Sequence, residues 1–389
     1  MEISALERLA RCSSQTEIWW DSSPLIYPRW RASFGGAHPE LGEQLDALFH
    51  PEGEPWGYLR GSTTNQPITL QALDADPDTW RAWAVETAAL GGDPDARRLA
   101  AQAFGEIVRR GAGVLSGLFA SSGRRFGYIC GQVDPRLDDD TDAMVQQAIA
   151  LKALAPNIMI KMPGTAAGIE GVRQLTAHGI ATTTTLSFSV PQLVAVAEAV
   201  EAGLRLARAH GVDLSSWRAT GVMMLGRFED HPAFRQQASE HGIDLSPADM
   251  RWAGIAIFKE AYRLYQRHGY QAKLLAASMR IGPEIAGREN IWHLEKLAGA
   301  DAVLTIFPNI IEGYLLGYRD RTVEPMIGEE VPRPILDRLL RIPYFRQAYE
   351  EDGLKPEEFA SYPPVVATTE SFTKAMQDFE SRIAAFAQG

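Results

Sequence analysis

The chain has 389 residues, 46% hydrophobic and 22% charged, with a net charge of −11; this is an ordinary globular composition, and its acidity argues against nucleic acid and other polyanions as partners. No window of about 18 apolar residues is present to cross a membrane, and residues 1–11 carry charges without an apolar run, so neither a membrane span nor a signal peptide is predicted and the cytoplasm is the expected location. The two cysteines, Cys12 and Cys130, lack metal-type spacing and exclude both a disulfide framework and a cysteine-based zinc site.

In chain order, short β-rich runs alternate with longer helical patterns. The first strand is predicted at 17–21 (EIWWD) and the second at 56–63 (WGYLRGST), after which residues 76–119 carry two or three helices. A third strand (126–132, FGYICGQ) leads to a helix over 142–154. A fourth (157–162, NIMIKM) leads to a helix over 166–178, and a fifth (180–188, IATTTTLSF) to one over 190–210. The sixth strand (219–225, ATGVMML) precedes a helix over 247–268, the seventh (272–278, AKLLAAS) a helix over 289–297, and the eighth (301–307, DAVLTIF) two further helices within 332–387. Eight βα units predict an α/β protein of the (β/α)8 TIM-barrel type. It is read as one domain over 1–389 with additional helices at about 76–119 and 332–387. An open doubly wound sheet would carry a glycine-rich phosphate turn after its first strand; this first strand ends in Asp21-Ser22-Ser23-Pro24.

Barrel enzymes work at the C-terminal ends of their strands. Those ends read Asp21, Asn65, Gln132, Lys161, Thr185, Arg227, and Ser278 with Arg280; only the eighth, at Phe307-Pro308, is apolar. Loops are polar in any protein, which accounts for part of this pattern but not for a lysine among Ile158, Met159, Ile160 and Met162. By alternation Met159 and Lys161 share a face, the barrel interior. A lysine there is costly unless paired or neutral. Desolvation lowers its pKa, and a neutral amine in a pocket is the nucleophile that forms a Schiff base with a carbonyl. The alternative is a structural lysine paired with a carboxylate such as Asp21.

Other features read as structural. Asp138, Asp139 and Asp140 lead into a helix and fit capping better than metal binding. The eight histidines show no paired spacing, so no metal site is predicted. Gly35-Gly36-Ala37 and Gly111-Ala112-Gly113 lack the strand–turn–helix setting of a nucleotide site. Trp19, Trp20, Trp30, Trp80 and Trp83 are read as packing the extra helices against the barrel.

The segment 158–199 resembles the central region of transaldolases. In that family a lysine in an I-K-[ILM]-P/A-x-T-x-x-G-I phrase is followed by a G-I-x-x-x-x-T-L-x-F-S phrase. Lys161, Thr165, Gly168, Ile169, Gly179, Ile180, Thr185, Leu186, Phe188 and Ser189 fit. Thr63-Thr64-Asn65 resembles the family's T-[ST]-N-P, with the proline one place late at Pro67, and the run from Gln132 to Leu137 resembles its E-V-D-x-R-L. Leu225-Gly226-Arg227 resembles V-G-R, and Ala277-Ser278-Met279-Arg280 resembles A-S-x-R. The matches run in family order from Asp21 to Pro308.

The resemblance implies a role for each of these residues. Lys161 would be the Schiff-base lysine, Asp21 the acid/base that takes and returns the C4 hydroxyl proton, and Thr185 a holder of the catalytic water. Asn65 would bind a donor hydroxyl, while Arg227 and Arg280, assisted by Ser278, would grip the substrate phosphate in the bidentate manner arginine allows. The implied activity is cleavage of the C3–C4 bond of a ketose phosphate and transfer of a dihydroxyacetone-type unit to an aldose phosphate. No metal or organic cofactor is implied, and the partners are small sugar phosphates. Alternatives are an aldolase that releases the donor, a specialised biosynthetic sugar-phosphate enzyme, and a sugar-phosphate binder without turnover. The sequence assigns no oligomeric state.

Four positions depart from the family. Gln132 replaces a glutamate that shuttles protons, and a glutamine can position a water but not accept its proton; the fructose-6-phosphate aldolase subgroup also carries glutamine here. Met224 stands where transaldolases have phenylalanine and that subgroup tyrosine. Thr183 replaces an asparagine and Val222 a serine, both donor-hydroxyl contacts. The resemblance therefore implies retained covalent chemistry and phosphate grip around a rebuilt donor pocket.

Overall fold

The computed structural model describes residues 3–52, 56–91 and 95–388. Eight strands run parallel: β1 (Glu17–Trp20), β2 (Leu59–Ser62), β3 (Tyr128–Gln132), β4 (Ile158–Pro163), β5 (Thr182–Thr185), β6 (Ala219–Met224), β7 (Lys273–Ala277) and β8 (Ala302–Ile306). Each pairs with its successor and β8 returns to β1, which closes the predicted (β/α)8 barrel. Apart from β4, which keeps its length but starts one residue later, the observed strands are shorter than the sequence runs. The β5 run, for example, leaves the ladder after Thr185 because Leu186 turns to φ +54°.

The helices begin where the sequence provides side-chain acceptors for their first N–H groups. Asp140 caps Thr141–Lys152, Thr165 caps Ala166–Ala177 and Ser189 caps Val190–Ala209. A reciprocal Ser246–Asp249 capping box opens Pro247–His268, and Gly269 ends that helix at φ +64°. Of the aspartate run read from the sequence as capping, Asp140 supplies the cap. Extra helices occur where predicted, among them Pro77–Gly91, Ala96–Ser121 and Pro363–Ala387.

One predicted helix is corrected. Over 289–297 the chain forms only the single turn Trp292–Glu295, preceded by an antiparallel hairpin of Glu284–Ile285 with Arg288–Glu289. The hairpin turns through Ala286 and Gly287, at φ +53° and +74°, and the Asn290 side chain donates to the Pro283 carbonyl at 3.0 Å. These local bonds compete successfully with a helix start.

Strand register fixes which residues face inward. Gln132 pairs with Lys161, Lys161 with Thr183, Thr183 with Thr220, and Val222 with Leu275. Trp19 also points inward, a correction to its expected place against the outer helices. Its ring lies over Gly61, where a Cβ would come within 2.6 Å of it. Trp20 and Trp30 pack outside with Tyr27, and Trp80 meets Trp83 on Pro77–Gly91.

The two ends of the barrel differ. At the N-terminal end Glu17 receives Arg218 (2.9 Å), Lys273 (3.1 Å) and the Trp19 indole N–H (3.1 Å). Burial opposes ionisation of Glu17, yet these two cations hold its carboxyl down to about 2. At the C-terminal end, Pro363–Ala387 packs on the Gln66–Ala75 helix that follows β2 and on the Pro135–Leu137 turn that follows β3. Ion pairs Arg136–Glu380 (2.7 Å) and Arg382–Asp74 (2.6 Å) fix it there.

Candidate active site

A cavity at the C-terminal end of the barrel is lined by Asp21, Thr63, Asn65, Lys161, Thr183, Val222, Met224, Arg227 and Ser278, with Leu275, Ala277, Thr305 and Phe307. Six of the sequence-predicted residues thus meet side by side: Lys161, Asp21, Asn65, Thr183, Ser278 and Arg227.

Lys161 is buried, and its Nζ donates to the Thr64 carbonyl at 3.1 Å. Among the described residues it forms no salt bridge, so the structural alternative of a tight Lys161–Asp21 pair is not what the fold builds. Burial pushes the Lys161 ammonium below the ordinary lysine range and Arg227 adds to this, while Cys130 and Asp21 oppose it. Burial pushes the Asp21 carboxyl up, against the pull of Lys161, a hydrogen bond from Thr63 and the charge of Arg227. Both groups are therefore displaced towards their neutral forms.

Thr63, part of the Thr63-Thr64-Asn65 phrase, is given no role of its own by the sequence. Its hydroxyl donates to Asp21 Oδ1 at 2.7 Å and meets the Thr305 hydroxyl. Asn65 caps the Gln66–Ala75 helix through Oδ1, accepting from the Ile68 N–H at 2.9 Å, which leaves its amide nitrogen for other contacts. The Thr183 hydroxyl accepts from Thr220 at 2.7 Å. Val222, Met224, Leu275 and Ala277 make the β6–β7 wall apolar.

Arg227 lies on the short helix Leu225–Glu229 directly after β6, its guanidinium 5.2 Å from the ring centroid of Phe372 on Pro363–Ala387. Among the described residues it has no carboxylate partner. Arg280 does not line the cavity. Its Nε donates to Asp230 at 2.7 Å, and its Nη1 to the Ser278 carbonyl (3.0 Å) and hydroxyl (3.2 Å). Ser278 sits at φ +59°. Its carbonyl also accepts from the Gly226 N–H at 2.9 Å, and a Cβ on Gly226 would overlap that carbonyl oxygen.

Gln132 and Thr185 do not line this cavity either. The Thr185 hydroxyl has the Met224 sulfur at 3.7 Å. Gln132 Oε1 is buried without a hydrogen-bond partner, and Gln132 borders a separate cavity of about 520 Å³ with Gln66, Trp83, Phe104 and Met376. A bracing residue missed in the sequence is Gln192. Its amide donates to the Gly164 and Leu186 carbonyls (2.8 and 2.9 Å) and accepts from the Phe188 N–H at 2.9 Å, tying the exits of β4 and β5 together.

Among the described residues no three His, Cys, Asp or Glu side chains are placed to hold a metal ion, and no helix is long and apolar enough to cross a membrane.

Residues 45–343 match the family model described as transaldolase/fructose-6-phosphate aldolase. The chain belongs to that family. Among curated members, it is 33% identical over 208 residues to a transaldolase of Mycolicibacterium paratuberculosis, covering 53% of this chain and 54% of that protein. It is 36% identical over 161 residues to transaldolase 1 of Streptomyces coelicolor, covering 41% and 42%. It is 29% identical over 265 residues to a transaldolase of Thiobacillus denitrificans, covering 65% and 68%. The chain thus spans about half the length of the mycobacterial transaldolase it matches.

Proposed function

We propose that this family member forms a Schiff base at Lys161 with a ketose phosphate, cleaves the C3–C4 bond, and transfers the resulting three-carbon unit to an aldose phosphate. The observation that carries this reading is a buried lysine that, among the described residues, has no ion-pair partner and shares its cavity with one carboxylate, Asp21. The neutral amine attacks the C2 carbonyl, and loss of water gives the iminium. Asp21 takes the C4 hydroxyl proton while the C3–C4 electron pair moves towards the iminium nitrogen, releasing an aldehyde and leaving an enamine. The enamine attacks the acceptor aldehyde, Asp21 returns its proton to the new hydroxyl, and hydrolysis frees Lys161.

Arg227 and Arg280 take the phosphate, with the Ser278 hydroxyl beside them. Asn65 and Thr183 contact donor hydroxyls, while Thr185 and Gln132, which do not line the cavity, are given no contact with the substrate. The lysine imine supplies the electron sink, so the reaction needs no metal or organic cofactor. The reading treats 1–389 as one barrel domain, supported by the packing of Pro363–Ala387 over the strand ends. Incubation with fructose 6-phosphate and borohydride tests it. A stable adduct mapped to Lys161 is expected, and ligand binding without any adduct overturns the covalent reading in favour of a binder.

A further inference from the structure

The two arginines assigned to phosphate sit at the exits of different strands, and nothing local in the sequence sets their separation. A buried hydrogen-bonded chain outside the cavity connects them. Glu229 ends the short helix that carries Arg227 two residues earlier. Its Oε1 lies 2.7 Å from His293 Nε2, and its other oxygen receives the Arg251 guanidinium. His293 comes from the single turn Trp292–Glu295, and its Nδ1 lies 3.0 Å from the Arg280 backbone nitrogen. A backbone amide only donates, so Nδ1 is the acceptor and the ring proton sits on Nε2, where it donates to Glu229. Both Glu229 and His293 are 0% exposed. Gly254, in Pro247–His268, leaves the space Glu229 occupies, because a Cβ there would overlap its carboxylate.

We propose that His293, held in one tautomer by Glu229, is a positioning residue that ties the strand exits carrying Arg227 and Arg280 into a single phosphate grip. With the Gly226–Ser278 bond and the Arg280–Asp230 ion pair it makes three cross-links between the exits of β6 and β7. The first two involve buried atoms and backbone, whereas Asp230 is partly exposed; any one link alone leaves a pivot, and together they fix both the distance and the orientation of one exit against the other. Ser278, at φ +59°, holds a conformation that a side-chain-bearing residue adopts only when its surroundings enforce it. The acceptor bond to the next-but-one residue, Arg280, is part of that enforcement. This proposal rests on the phosphate role given above to Arg227 and Arg280.

The test compares His293→Leu, which removes both ring hydrogen bonds, with His293→Asn, whose side-chain oxygen reaches the place of Nδ1, and with Arg280→Met. The readout is the concentration giving half-maximal borohydride-trapped adduct for fructose 6-phosphate and, separately, for fructose. His293→Leu is expected to raise the value for fructose 6-phosphate by about 10-fold or more while leaving fructose unchanged, and His293→Asn to recover much of the loss. Equal losses on both sugars, or no loss in His293→Leu where Arg280→Met shows one, overturn the positioning role. Arg280→Met without a phosphate-selective effect overturns the phosphate reading itself, and the proposal with it. Should His293→Leu not fold, His293→Phe, which also lacks both ring hydrogen bonds, carries the same comparison. Should the unmodified protein trap neither sugar, calorimetric titration with inorganic phosphate replaces the adduct, and an unchanged Kd in His293→Leu overturns the proposal.

Discussion

Replacing Lys161 by methionine separates chemistry from stability. The side chains are similar in length, and methionine adapts to an apolar cavity. An ammonium buried without a close carboxylate costs several kcal/mol after relaxation. Lys161 has one hydrogen bond, to the Thr64 carbonyl, and a more distant Asp21 to offset that cost. Lys161→Met removes the penalty but gives up a bond of about 1 kcal/mol and the attraction of Asp21, which together offset most of it, so the expected net effect is a gain of about 1 kcal/mol. For 389 residues the unfolding entropy is about 0.8 kcal/mol/K. The gain then appears as a rise of only about 1 °C in Tm, better resolved as a shift in urea midpoint. The gain also depends on pH. Because burial lowers the folded pKa of Lys161, the unfolded chain binds the proton more tightly. The penalty is full below the folded pKa and disappears as pH rises past the ordinary lysine value. Lys161→Met should therefore exceed the unmodified protein more at pH 6 than at about pH 10. The same variant should form no borohydride-trapped adduct with fructose 6-phosphate. An adduct at unmodified yield refutes the Schiff-base assignment. A loss of more than about 2 kcal/mol refutes the view of Lys161 as an imperfectly compensated buried amine.

Other perturbations probe the rest of the site. Arg227→Ala and Arg280→Ala should each raise KM for phosphorylated ketoses by about 10–100-fold with little change on unphosphorylated analogues; equal losses would make the arginines structural. Gly226→Ala forces a Cβ against the Ser278 carbonyl and should cost about 2–4 kcal/mol in denaturant unfolding from overpacking and a broken bond. Gln132→Glu, and separately Val222→Ser with Thr183→Asn, should raise kcat/KM on fructose 6-phosphate with erythrose 4-phosphate. An unmodified value already at about 10⁴ M⁻¹s⁻¹ or above would show that these departures do not matter. Glu17, held down to about 2 by Arg218 and Lys273 against the effect of burial, contributes stability that is full above its unfolded pKa and is lost as pH falls towards 2. Glu17→Gln should cost about 3 kcal/mol at pH 7 and flatten acid unfolding between pH 4.5 and 2, read as urea midpoint against pH.

Much of this protein is legible along the chain because its signals are local. Alternation in Ile158–Met162 points Lys161 inward whatever the neighbouring strands do, and Thr165, Ser189 and the Ser246–Asp249 pair start helices within a few residues of themselves. The order of eight βα units follows from the same periodicities, and the family phrases lie on the strand ends. Closure of the barrel decided the rest, because it brings together residues that no sequence spacing relates. It set Thr63 against Asp21 and Thr305, turned Trp19 inward over Gly61, and laid Phe372 from the C-terminal helix on Arg227. It also joined Glu229 to His293 beneath the two arginines. At the last residue of a strand, packing of the exit loops takes over from alternation. That is why Gln132 and Thr185, read from the sequence as members of one cluster with Lys161, stand outside its cavity.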